Sequence, residues 1–73
     1  MHIMVTLPAY KPYKTAPEVP DQSVMVPIND YTEVRRDTST GFAIITCNRI
    51  GYTWSTKTPF EQVCRDITEL QKL

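Results

Sequence analysis

The stretch that decides the fold is Phe42-Ala43-Ile44-Ile45-Thr46-Cys47-Asn48-Arg49-Ile50-Gly51-Tyr52-Thr53-Trp54-Ser55-Thr56-Lys57-Thr58-Pro59-Phe60-Glu61-Gln62-Val63-Cys64-Arg65-Asp66-Ile67-Thr68-Glu69-Leu70. Phe42–Cys47 is dense in β-branched and aromatic residues, which fit a pleated surface, and reads as a strand. Asn48-Arg49 reads as a two-residue hairpin turn, and Ile50–Ser55 as the returning strand. The periodicity then changes. Phe60, Val63, Cys64, Ile67 and Leu70 recur at spacings of three and four, which puts them on one stripe of a helix. Thr58-Pro59-Phe60-Glu61 supplies a hydroxyl for the cap, a proline for the first turn and a carboxylate that reaches back, so the predicted helix covers 58–72.

Register follows from the turn. With Asn48-Arg49 as the loop, Cys47 faces Ile50, Ile45 faces Tyr52 and Ala43 faces Trp54. Cross-strand partners share a face, and this one is apolar enough to meet the helix stripe. The other face then carries Phe42, Ile44 and Thr46 beside Gly51, Thr53 and Ser55. A strand apolar on both sides needs a second cover. Either an N-terminal segment or another molecule supplies it.

Working back toward the N-terminus, Asp37-Thr38-Ser39-Thr40-Gly41 is a turn and Tyr31–Arg36 the strand before it. Five of the six prolines lie between Pro8 and Pro27. Proline lacks a backbone donor and biases its predecessor to extended geometry, so residues 8–23 read as an extended Pro-rich arm. Residues 2–7 alternate as a short strand, and Val24-Met25-Val26 forms another that Pro27 restricts to a sheet edge. The expected architecture is α+β, a single domain over 1–73. It comprises a small antiparallel sheet with a three-stranded meander, N-terminal strands, one C-terminal helix on one face, and the arm.

The chain has 73 residues, with eight Lys/Arg against eight Asp/Glu. One small domain is the ceiling at that length. Net neutrality argues against the bulk basic charge of a non-specific nucleic-acid binder. The start, Met1-His2-Ile3-Met4-Val5-Thr6-Leu7, lacks the charged and apolar parts of a secretory signal. The run Phe42–Ile45 falls far short of the ~20 apolar residues that span a bilayer. Cys47 and Cys64 are too few for a disulfide framework, so the expected setting is the cytoplasm with reduced thiols. A core at this size yields only ~3–5 kcal/mol, which favours a chain that gains stability by docking.

No catalytic or metal signature is legible. Cys47, Cys64 and His2 match no zinc spacing. One histidine and scattered carboxylates assemble no acid–base pair, and two glycines make no phosphate loop. The reading is therefore a non-enzyme without cofactor or small-molecule substrate. Tyr10-Lys11-Pro12-Tyr13-Lys14 is a basic-aromatic segment of the kind that anchors interfaces, unless Tyr10 and Tyr13 merely close over Phe42 and Ile44. Arg35, Arg36 and Arg49, on or beside the meander, are the remaining partner-binding candidates.

Two resemblances extend this. Gly51–Leu70, an aromatic-rich strand followed by Thr-Pro-Phe-Glu opening a helix, resembles the ethylene-response and integrase-arm DNA-binding domains. That would imply a sequence-specific reader laying its three-stranded sheet in the major groove. Over its whole length the chain is similar to the small RNA-polymerase-binding transcription regulators of lytic Xanthomonas phages. The likeness lies in length, the Met1-His2-Ile3 start, the Pro-rich arm, and a compact sheet followed by a helix. It implies a protein of the host cytoplasm that binds host RNA polymerase, inhibits initiation and promotes antitermination, with host elongation factors or nascent RNA as further partners. Arg35, Arg36 and Arg49 would then meet acidic polymerase residues or the transcript. A third reading is a phage inhibitor of another host machine, such as a nuclease.

Overall fold

The computed structural model describes residues 1–72; Leu73, the last residue of the expected domain, lies outside them. Strands β1 (His2–Leu7) and β2 (Gln22–Pro27) pair antiparallel as a two-stranded sheet. Strands β3 (Thr32–Arg36), β4 (Phe42–Cys47) and β5 (Tyr52–Pro59) form an antiparallel three-stranded meander with β4 in the middle. Helix α1 (Phe60–Gln71) follows β5 without a loop and packs on both sheets. The α+β architecture is as the sequence reads.

One core lies among these three elements. Ile3 and Val5 enter it from β1, Val26 from β2, Ala43 and Ile45 from β4, and Val63 from the helix. Trp54, Val34, Ile67 and Leu70 pack around it. The alternation on β4 is complete: Ala43, Ile45 and Cys47 are buried, while Phe42, Ile44 and Thr46 on the other face are half-buried. Cys47 and Cys64 are both free thiols, the first buried and the second half-buried. Among the described residues no helix is long and apolar enough to cross a membrane.

Both hairpins of the meander close in the same way. Gly41 N–H donates to the Asp37 carbonyl at 2.7 Å, and Gly51 N–H to the Cys47 carbonyl at 2.9 Å. Each glycine has positive φ, +78° and +67°, where a side chain would be strained. This corrects the expected Asn48-Arg49 turn. The loop is four residues, Asn48 to Gly51, and Cys47 pairs with Tyr52, Ile45 with Trp54. The shift is by two residues, so face assignments survive for β4, Tyr52 and Trp54. Ile50 does not survive: it leaves the core face and sits on the loop, 65% exposed. Gly51 was the signal, since it is the residue able to end such a loop.

The helix start also differs from expectation. Pro59 occupies the cap position and no side chain caps the helix. Thr58 belongs to β5, and its Oγ1 accepts the Thr6 N–H of β1 at 2.9 Å. The first free helix donor, Phe60 N–H, is met by the Gly41 carbonyl at 3.0 Å. With β5 running straight into α1, a neighbouring turn does the work of a cap. Thr58→Ala is therefore expected to cost about 1 kcal/mol by stranding the Thr6 N–H at the β1–β5 seam. In native-state hydrogen exchange Thr6 should lose protection while the Phe60 amide keeps its own; the reverse pattern would restore the cap.

Beyond β5 residue Ser55 the register slips. Ile44 faces Ser55 but Phe42 faces Pro59, so β5 carries extra residues opposite Ala43. Thr56, buried at this bulge, fills the broken ladder. Its hydroxyl donates to the Ala43 carbonyl at 2.8 Å and accepts the Thr58 N–H at 3.2 Å. A bulge bends its strand, which here turns β5 toward the helix.

Candidate functional site

The Pro-rich segment is the long connection of the β1–β2 hairpin. A bridge between Tyr10 and Val19 brings its two limbs together, with hydrogen bonds of 3.0 and 2.7 Å. Gln22 and Ser23, expected in the arm, belong to β2. Ala16 is buried and its N–H donates to the Tyr13 carbonyl at 3.0 Å, folding the tip on itself. The result is a closed finger projecting past the strands of a molecule measuring 45 × 24 × 22 Å.

Asp21 ties down the base of the finger. One oxygen accepts the Ala9 N–H at 2.7 Å, and the other pairs with Lys57 Nζ on β5 at 2.9 Å. The Lys57 bond first, then the Ala9 N–H, hold its carboxyl below the ordinary aspartate range. Asp37 is likewise lowered, by the Ser39 hydroxyl and N–H that it accepts within its turn. Between the finger base and the outer sheet face lies a cleft of about 450 Å³, lined by Pro8, Ala9, Asp21, Phe42, Ser55 and Lys57 among others.

The finger's tyrosines and lysines are exposed. Tyr10 is 55% and Tyr13 65% exposed, and Lys11 and Lys14 are exposed beside them. The alternative that these tyrosines close over Phe42 and Ile44 is thereby excluded. Ile44 sits between Arg35 on β3 and Ser55 on β5, its neighbours in register, and is half-buried.

The three arginines do not share a surface. Successive strand residues point to opposite faces, so Arg35 lies on the outer sheet face and Arg36 on the helix side. Arg36 is part of the fold: its guanidinium pairs with Glu61 and lies 4.9 Å from the Phe60 ring centre. Glu61, read from the sequence as a capping carboxylate, is that arginine's partner. Arg49 is at the β4–β5 loop, 5.6 Å from the centre of the Tyr31 ring. Lys57 is engaged with Asp21.

Other groups come together that the sequence kept apart. His2, Asp66, Glu69 and Leu70 line one groove of about 380 Å³ with Ile3 and Met4. Gln62 Nε2 already donates to Asp66 at 2.8 Å. Among the described residues no three His, Cys, Asp or Glu side chains are grouped to hold a metal ion. Met4 and Met25 face each other across β1 and β2 on the exposed side.

No family model, curated protein or solved structure matches the chain. What the site can do must be taken from its own chemistry. The finger presents exposed tyrosines and lysines on a braced loop.

Proposed function

We propose that this is a non-catalytic binding protein of the phage-regulator type, which docks on host bacterial RNA polymerase, inhibits initiation and promotes antitermination. The observation that carries the binding role is the finger: Tyr10, Lys11, Tyr13 and Lys14 exposed on a loop that prolines, the Tyr10–Val19 bridge and the Asp21 tie hold in one shape. A rigid loop loses little conformational entropy on docking, and tyrosine gives large contact area for few rotatable bonds. The polymerase as partner rests on the whole-chain resemblance. Arg35 is the sheet residue placed to extend this contact; Arg36, already paired within the fold, is withdrawn from it.

The arrangement of charge favours this reading over a DNA reader. On the outer sheet face Arg35 shares its strand with Glu33, and Lys57 is paired, so the sheet offers no basic stripe for phosphates. The test is co-elution of the tagged protein with purified polymerase, beside titration of free duplex at two salt concentrations. Wild type should co-elute and bind duplex weakly. Replacing Lys11 and Lys14 by Glu, with Tyr10 and Tyr13 by Ser, should weaken capture by about thirtyfold or more, since two aromatic anchors at over ~1 kcal/mol each make ~2 kcal/mol. Tight, steeply salt-dependent duplex binding without co-elution would replace this reading with the DNA-binding one.

A further inference from the structure

The outer face of the β1–β2 hairpin carries side chains that neither the core nor the finger uses. Ile3 and Val5 are buried, so strand alternation puts His2 and Met4 together on the opposite face. Register sets Met25 opposite Met4 and Pro27 opposite His2. All three methionines of the chain, Met1, Met4 and Met25, are more than half exposed, at 56%, 59% and 55%. Methionine ordinarily fills gaps in a core. Here its thioethers are held toward water, so packing does not account for them.

The pairing is the kind that brings side chains closest. Ile28 N–H donates to the Met1 carbonyl at 2.8 Å, which makes Met1–Ile28 a hydrogen-bonded pair. Antiparallel pairs alternate between bonded and non-bonded, so His2–Pro27 and Met4–Met25 are non-bonded pairs. Two further facts agree. Pro27 has no N–H to give, and Thr6 N–H, on the same alternation, turns away from β2 to Thr58 Oγ1 at 2.9 Å. Across a non-bonded pair the Cα atoms stand about 4.5 Å apart. His2 lies roughly 6.8 Å along β1 from Met4 and about 7–8 Å diagonally from Met25, spans that an imidazole and two thioether chains close. The next pair on this face, Thr6 and Ser23, is small and polar and does not crowd them.

We infer that His2, Met4 and Met25 form a binding site for a soft univalent metal ion, copper(I). Thioether sulfur is a soft neutral donor that selects Cu(I) over zinc, and imidazole serves both. Three neutral donors suit a single positive charge. Asp66, in the groove that His2 and Met4 also line, makes no ion pair among the described residues, and its charge favours a cation. Matching His2, Cys47 and Cys64 to zinc spacings misses such a site, because its sulfur comes from methionine. The site stands on β1 and β2, apart from Tyr10–Lys14, and is independent of the finger's partner.

The probe is Ag(I), a soft ion that stays univalent in air, titrated into the full chain in chloride-free buffer. Free thiols compete for it, so the half-buried Cys64 is replaced by serine throughout. In proton–carbon NMR the Met4 and Met25 methyl signals and the His2 ring signals should shift together and saturate at about one equivalent. Met4→Leu and Met25→Leu remove the sulfur and keep the bulk at exposed positions. Each should weaken binding about tenfold or more, as should His2→Ala. Circular dichroism checks that each variant folds; should Cys64→Ser not, Cys64→Ala takes its place. Zn(II) should leave the methyl signals in place, and Cu(I) under anaerobic reducing conditions should reproduce the Ag(I) shifts. The inference is overturned if only Cys47 responds, if the leucine variants bind as the parent does, or if Zn(II) moves the same signals.

Discussion

Ile45→Ala should leave the protein largely unfolded at room temperature. Ile45 is wholly buried at the centre of the middle strand, between Val34 and Trp54 in register, and belongs to the cluster that Val63 closes from the helix. Truncating a buried isoleucine removes its transfer free energy and leaves a cavity, together about 2–5 kcal/mol. A core of this size supplies only ~3–5 kcal/mol in total. The two figures are comparable, so the variant has little or nothing left. Urea unfolding followed by circular dichroism checks this. A variant with a cooperative transition near the wild-type midpoint would mean that the six-residue core is not where the stability resides. Ile44→Ala is the internal comparison: one residue away on the other face and half-buried, it should cost well under half as much.

Thr56→Val is expected to have the next largest effect, although it keeps the shape and adds apolar character in a buried place. The Thr56 hydroxyl serves two backbone groups that the β5 bulge leaves without ladder partners, the Ala43 carbonyl and the Thr58 N–H. A buried polar group stripped of its partner costs about 1–3 kcal/mol. Two are stripped here, and valine offers neither a substitute. Thr56→Ser retains the hydroxyl and should recover most of the loss. If valine and serine variants unfold at the same denaturant concentration, the hydroxyl is not what completes this ladder.

The sequence discloses the meander, the helix and the buried face of β4 because each rests on period and composition. Phe42–Cys47 alternates between two burials, and Val63, Ile67 and Leu70 recur on one stripe. Those signals are local and survive errors of detail. What it hides depends on partners distant along the chain. Thr58 looks like a cap because a hydroxyl stands before Pro59-Phe60-Glu61; that β1 claims the hydroxyl is decided 52 residues earlier. Glu61 looks like its reciprocal partner, but Arg36 reaches it across the sheet edge. The finger escaped notice for the same reason. Prolines exclude a helix over 8–21, yet nothing local says that Tyr10 meets Val19 or that Asp21 meets Lys57. All seven candidate contact residues, Tyr10, Lys11, Tyr13, Lys14, Arg35, Arg36 and Arg49, are exposed; for the two tyrosines the sequence left closure over Phe42 and Ile44 open. Arg35 and Arg36 divide between faces, which strand alternation alone would have told.

The finger stands outside the core cluster: the Tyr10–Val19 bridge and the Ala16 turn hold it within itself, and Asp21 ties its base to Lys57 on β5. Its outward tyrosines and lysines are exposed and lie outside the core cluster, so on the proposed reading they serve a partner and add little to folding. Their identities are therefore free to drift under selection from a changing target while the six core residues stay put. Stability and recognition usually compete when they draw on the same side chains. On the proposed reading they draw on different ones, so a new specificity could be grafted between Tyr10 and Lys14 without re-solving the fold, and the domain is suited to use as a scaffold for displayed loops.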